Sequence, residues 1–295
     1  MRIPVQASSR AWQPLTPRGV AAFAGAPLSR LLLVQFVFAV CAATAAAWFL
    51  YADGFPVIRA AIRQLPPRGE IRSGRLNWAG DSPRMLAEGR FLAFTVDLNH
   101  AGAARSPAQF QVEFGRENVR IFSLFGYTEC AYPKDWIIAF NRPELQPWWG
   151  AWEAPLSGIA VGGVIACLMV SWALLATLYG SAAWLTGYFA NRNLNLRGCW
   201  KLAGAALMPG ALLMTAGIIF YGLGVLDLVE LMVTAGAHFV VGWIYLFVSP
   251  FFAPSLPASS VAGGNPFVTP ASEGTGTGEN KKEARQRLSQ NLSDD

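Results

Sequence analysis

APLSGIAVGGVIACLMVSWALLATLYGSAAWLTGYFA, residues 154–190, contains no formal charge, and Glu153 is followed by 38 uncharged residues in all. From there to Phe252 the only acidic residues are Asp227 and Glu230. A block this apolar is unsuited to a core in water, and at about 20 residues per crossing it is long enough to traverse a bilayer three times. Residues 154–252 are therefore expected to hold three spans, at roughly 156–179, 202–224 and 228–252, and this expectation organises everything before and after them.

Composition agrees. Of 295 residues only 14% are charged against 53% apolar, with 11 Trp and 19 Phe, the profile of an integral membrane protein. A net charge of +5 would in a soluble chain raise nucleic-acid binding. Here the uncompensated positives flank apolar runs, where the positive-inside rule expects them, and no basic patch interleaved with aromatics occurs, so no nucleic-acid partner is expected. Of Cys41, Cys130, Cys167 and Cys199, only Cys130 falls in the soluble region. One thiol cannot staple that region internally, so it must fold on its own core.

Residues 1–30 carry Arg2, Arg10, Arg18 and Arg30 without an acid, and four prolines discourage a long helix. They read as a basic cytoplasmic arm. Leu31–Tyr51 is long enough for a first span, with Gln35 its most polar residue. A cleaved signal peptide is the rival reading, given Ala43, Ala45 and Ala47, but the apolar run continues through Trp48, Phe49 and Leu50. Residues 52–153 follow, and in either case are exported. Phe55, Ile58, Ile62 and Leu65 recur at helical spacing, which predicts a short amphipathic helix on the membrane surface, ended by Pro66 and Pro67. Residues 70–146 change period: Gln109 to Phe114 alternates apolar with polar, Phe91 to Leu98 places Leu92, Phe94, Val96 and Leu98 on one side, and Gly115-Arg116-Glu117-Asn118 fits a hairpin loop. A small antiparallel β domain of about five to seven strands is expected, with Phe110, Val112, Phe114 and Ile121 as its candidate interaction face. The 12 basic and 11 acidic residues of 52–153 nearly cancel.

Pro147-Trp148-Trp149-Gly150-Ala151-Trp152 reads as an interfacial belt at the return to the membrane, with a sugar-stacking platform as the sharper alternative. Gly158 and Gly162, four apart, would allow another helix to approach closely. Arg192, Arg197 and Lys201 form a basic loop on the side of the amino-terminal arm, and Pro209 predicts a kink in the third span. Residues 253–295 turn to Pro, Gly, Ser, Thr and charge, and read as a disordered cytoplasmic tail.

His238 is the most informative polar residue, because it falls near the middle of the fourth span, where an ionisable group is costly. Asp227, Glu230, Thr234 and His238 share one helix face and form a candidate polar stripe for proton passage. Glu230 and His238 lie about 12 Å apart along the axis, too far for direct transfer. Against this stands a structural alternative in which the acids sit among headgroups and neutral His238 bonds a neighbouring helix. Cys41, Cys167 and His238 share no short ligand spacing, so neither a metal nor a cofactor is expected. In the soluble domain Asp81, Glu88, Asp97, His100 and Glu113 are acid–base candidates without a motif, and Asn99-His100-Ala101-Gly102 reads as a solvated turn.

Glu70-Ile71-Arg72-Ser73-Gly74-Arg75-Leu76, Phe94-Thr95-Val96-Asp97 and Gly126 to Pro133, ahead of the aromatic return, resemble a family of bacterial inner-membrane proteins without assigned activity. In that family one helix, an exported β domain and three clustered helices follow in order. The resemblance covers roughly residues 30–252 and implies topology; it carries no catalytic residue over. The expectation is a multi-pass bacterial inner-membrane protein with four transmembrane helices, an extracytoplasmic β domain and both termini in the cytoplasm. Its preferred function is non-enzymatic: the β domain binds an envelope component or protein partner. The alternative is a small transporter or proton-linked accessory subunit using the stripe, for which a homo-oligomer or partner subunit would be needed.

Overall fold

The computed structural model describes residues 12–255. It contains four helical runs long and apolar enough to cross a membrane: Leu28–Arg63, Arg142–Phe189, Leu196–Gly222 and Leu228–Phe252. Between the first two lies a β domain. The expectation for residues 253–295 falls almost wholly outside the described residues, as does that for the first part of the arm.

The described part of the arm is not loose. Thr16 caps a short helix α1 (Pro17–Ala22) by accepting from the Gly19 N–H, and a 3₁₀ turn Phe23–Gly25 follows. Val20 and Phe23 are fully buried in one cluster with Leu31, Cys199, Leu202 and Leu246, so this segment plugs one end of the bundle.

The first long helix is α2 (Leu28–Phe49), a π turn Leu50–Gly54, and α3 (Phe55–Arg63) without interruption. The π turn sits where Pro56 removes a backbone donor, and a widened turn is one way a helix absorbs that loss. Sequence predicts α3 as a separate surface helix. Instead its apolar side, including Ala61 and then Leu65, joins the β-domain core with Ile71, Leu76, Leu86 and Val96. The same stripe that could have lain on lipid is covered by protein. Gln35, the polar residue of α2, is buried and donates from Nε2 to the Gly204 carbonyl at 3.3 Å.

The β domain holds eight strands in two sheets. β1 (Gly69–Arg72), β2 (Arg75–Trp78) and β8 (Ile137–Ala139) form an antiparallel sheet in the order β2-β1-β8. β3 (Arg84–Glu88), β4 (Leu92–Val96), β5 (Phe110–Phe114), β6 (Asn118–Ser123) and β7 (Gly126–Ala131) form the second sheet in sequence order. The expectation of an all-antiparallel domain needs correction: β4 and β5 are parallel, paired from Leu92↔Phe110 to Val96↔Phe114. A parallel pair requires a crossover of about a dozen residues, and residues 97–109 supply it. The predicted loop between β5 and β6 is present, closed by Gly115 N–H to the Asn118 carbonyl at 2.9 Å.

α4 (Arg142–Phe189) is 48 residues long. At 1.5 Å per residue it measures about 72 Å, more than twice a hydrocarbon core. The predicted span 156–179 is its middle. Its first turns belong to the β domain, where Leu145 packs on the core, and Asn141 caps it. Gly158 and Gly162 face open space. Close approach occurs elsewhere: a Cβ on Gly217 of α6 would lie 2.8 Å from Thr234 Cγ2 of α7. The predicted kink is a break between α5 (Leu196–Ala206) and α6 (Met208–Gly222), with Pro209 in the first turn of α6, where its missing N–H costs nothing. α7 (Leu228–Val248) ends in a 3₁₀ turn Ser249–Phe252.

Candidate functional site

Asp227 and Glu230 of the polar stripe close a capping box at the start of α7. The Glu230 N–H donates to Asp227 Oδ1 at 2.7 Å, and the Asp227 N–H donates to Glu230 Oε2 at 2.8 Å. Thr234 donates back to the Glu230 carbonyl at 2.9 Å, and His238 Nδ1 meets the Ala235 carbonyl. Each stripe member is thus engaged within α7. His238 also lines a cavity of about 270 Å³ whose other walls are apolar or aromatic, Ala42, Trp172, Met214 and Trp243 among them, apart from Thr215.

The candidate interaction face divides in two. Phe110, Val112, Phe114 and Ile121 do share one side of the sheet, with Val112 opposite Ile121. Yet Phe114 packs against Phe140 with ring centroids 4.7 Å apart, inside the domain. Phe110 and Ile121, at 49% and 40% exposure, stay open. On the opposite side of β5 the polar residues are the buried ones: Gln111 is 4% and Glu113 0% exposed. The crossover 97–109 lies over them. Gln111 Nε2 donates to Thr95 Oγ1 at 3.1 Å and to the Ala104 carbonyl at 2.8 Å.

His100, predicted on a solvated turn, is the centre of this buried network. Its Nδ1 lies 2.6 Å from Glu113 Oε1, and its Nε2 contacts Asn118 Oδ1. Asn118 in turn donates its amide to Glu129 Oε1, whose Oε2 accepts from Arg120 Nε at 3.1 Å. Both ring nitrogens therefore face side-chain oxygens. The ring is thus the polar partner of a carboxylate with no access to water. Glu113 Oε2 has no hydrogen bond, its nearest cation being Arg105 Nη1 at 4.0 Å. Asp97 accepts from the Gly102 N–H at 2.9 Å and the Asn99 N–H at 3.3 Å. Burial pushes its carboxyl up, but these N–H groups, that of Ala101 and the charge of His100 outweigh it and hold it below the usual range. Glu88 accepts from Ser106 Oγ at 2.7 Å, tying the far end of the crossover to β3. Asp81 stands apart, its carbonyl taking the Trp78 indole N–H. The network braces the crossover. Among the described residues no group of three His, Cys, Asp or Glu side chains is placed to hold a metal.

A cleft of about 870 Å³ opens between the small sheet, the β5–β6 loop and the start of α4. Its origin is local. Ser73 and Gly74 both have positive φ, 50° and 75°, so β1 and β2 close through a two-residue turn whose twist matches the strands. That turn puts Ile71 and Leu76 inward and opposite each other, and sends Glu70 and Asn77 outward. The Leu76 N–H then donates to the Arg116 carbonyl at 2.7 Å, docking the small sheet on the β5–β6 loop. Arg68, Arg75 and Arg116 line the cleft with Glu70 and Glu144, and Trp78, Asn77 and Asn141 complete it. Arg75 is paired with Glu117 at 2.9 Å. Among the described residues no carboxylate lies within 4.0 Å of Arg68 or Arg116. In the sequence Glu70 and Arg75 entered only through the resemblance and Arg116 only through a hairpin loop, and none was a candidate site residue. The Ser-Gly dipeptide between alternating residues was the available signal for the hairpin.

No family model, curated protein or solved structure matches the chain.

Proposed function

We propose that this is a four-span membrane protein of the bacterial inner membrane whose exported β domain binds an envelope component or a partner protein through the cleft. The observation that supports it is the pairing of a polar cleft of about 870 Å³ with guanidiniums of Arg68 and Arg116 that, among the described residues, have no carboxylate within 4.0 Å. Exposed arginines beside an indole face and amide side chains suit a ligand carrying carboxylate or phosphate groups, because the guanidinium fork engages both bidentately. The bundle anchors the domain, and no catalytic step is required of it. Topology follows the positive-inside rule: Arg192, Arg197 and Lys201 share a side with the arginines before Leu31.

A photo-crosslinking amino acid at Ala79 on the cleft wall tests this in intact cells. A covalent adduct is expected that is lost in an Arg68→Glu/Arg116→Glu variant still present in the membrane. Adducts of equal yield in that variant, or none at all, would refute the cleft as the binding site. The transporter alternative has one observation in its favour, the cavity at His238. It requires His238→Leu to abolish function while the arginine variant retains it.

A further inference from the structure

We infer that the Leu124-Phe125 tip of the β6–β7 hairpin is a second membrane contact, resting in the headgroup region of the leaflet that the β domain faces. The inference takes the four apolar helices as membrane spans but does not depend on the cleft.

The tip is unusual in composition. Ser123 pairs with Gly126, so the loop is two residues long, where Gly, Asn and Asp are favoured. Here both are large and apolar, and Phe125 is 83% exposed, Leu124 60%. Nothing in the fold needs them there.

The register shows where the tip points. β3 runs antiparallel to α3: Arg84 at its start donates to Gln64 Oε1 at 3.1 Å, while a Cβ on Gly89, just past its end, would lie 2.6 Å from Val57. α3 continues α2, so the strands lie along the helix that leaves the bilayer. The β3–β4 turn rests on the helix ends. Phe91 packs on Phe49 at 4.9 Å and on Tyr221 at 4.7 Å, and Arg90 donates to the Leu226 carbonyl at 3.1 Å. Those residues mark the edge of the apolar zone. The Phe110 N–H bonds the Phe91 carbonyl at 2.9 Å, which puts the start of β5 on the same level. β6 returns antiparallel, with Gln111 opposite Phe122. Ser123 is thus level with Phe110, and the tip extends one to two residues further toward the bundle, about 3.3 Å each.

The collar behind the tip suits the same environment. Phe122 and Tyr127 pack with centroids 5.6 Å apart, Arg105 lies over Phe122 at 4.0 Å, and Arg120 over Tyr127 at 5.5 Å. Aromatic rings with guanidiniums just above an apolar point are the arrangement of an interfacial anchor, with the cations at phosphate level.

The test uses full-length protein in vesicles of phosphatidylcholine and phosphatidylglycerol, with a nitrobenzoxadiazole label clicked onto an unnatural amino acid at position 125 or, as control, at 117 on the opposite end of β6. An anchor seated about 5–10 Å into the headgroup boundary gives blue-shifted emission at 125 that shallow doxyl lipids quench several-fold more than at 117. Water-like, unquenched emission at 125 would overturn the inference. So would a blue shift that lipid quenchers leave untouched, which would place a protein partner or a second copy on the tip. A chain that fails to enter the vesicles would overturn the spans and this contact together, with no bearing on ligand capture by the isolated cleft.

Discussion

Replacing His100 by Ala should destabilise the β domain far more than its place in an Asn-His-Ala-Gly turn would imply. The substitution removes the Nδ1 donor 2.6 Å from Glu113, a carboxylate with 0% exposure, and leaves Arg105 at 4.0 Å as its only cation. Stranding one member of a buried pair costs about 3–5 kcal/mol. His100 itself is slightly exposed and Arg105 retains some attraction, so the lower end, about 3 kcal/mol, is expected. At 1.4 kcal/mol per decade this raises the opening equilibrium of the crossover a hundredfold or more. The positive φ of His100, 52°, adds no difference, because His bears that strain as Ala would. Hydrogen–deuterium exchange on peptides spanning 97–109, measured in nanodiscs, reads the change directly. The decisive comparison is His100→Ala/Glu113→Gln. Removing the stranded charge should restore about 2 kcal/mol, so the double variant exchanges more slowly than the single. If the single variant exchanges like the parent, or the double variant is worse than the single, the buried His100–Glu113 contact is not what holds the crossover.

Three further outcomes are expected. The Asp97 carboxyl is depressed in the folded state, so its contribution is complete above its unfolded value of about 3.9 and is lost as pH falls through the lower folded value. Crossover protection should therefore be flat from neutral pH to mildly acidic pH and fall below about pH 4, a step that Asp97→Asn removes. Gly210→Leu should lower the melting temperature by the equivalent of about 1–3 kcal/mol or more through overpacking, because its Cβ would strike the His238 carbonyl. Gly158→Leu, with open space around it, should shift the same melt little. An impermeant maleimide applied to intact cells should modify Cys130, which is exposed on β7, and spare buried Cys199; protection of Cys130 until lysis would contradict export of the domain.

What sequence made legible was set by one-dimensional pattern. The four apolar helices follow from run length, and the β character of residues 70–146 from period-two alternation. The inversion on β5 was not legible: Gln111 and Glu113 alternate with Phe110, Val112 and Phe114, and the usual rule buries the apolar set. Here the crossover covers the polar side, and the hydrogen bonds that Gln111 donates to Thr95 and Ala104, with the His100 contact to Glu113, make that burial tolerable. No local signal announces such cover. The parallel β4–β5 pair was hinted at only by the length of the segment between the strands. His100 looked solvated because its partners Glu113 and Asn118 come from strands 13 and 18 residues away.

The lengths of the helices decide how the two parts of the chain are coupled. A span needs about 20 residues, yet Leu28–Arg63 has 36 and Arg142–Phe189 has 48, and the end of the first and the start of the second enter the β domain as helix. α3 lies under β3 and β4, α4 begins at the Asn141 cap against Gly69, and Arg59 reaches Glu153 at 3.7 Å between them. A flexible linker would let the domain tumble on its anchor; two continuous helices fix its orientation, because tilting it requires bending backbone hydrogen-bond ladders. The π turn Leu50–Gly54 is where the α-helical hydrogen-bond ladder of that frame changes, with Phe91 packed on Phe49 beside it. Any rearrangement of the bundle that moves α2 against α6 must therefore pass through Phe49, Phe91 and Tyr221 into the sheet.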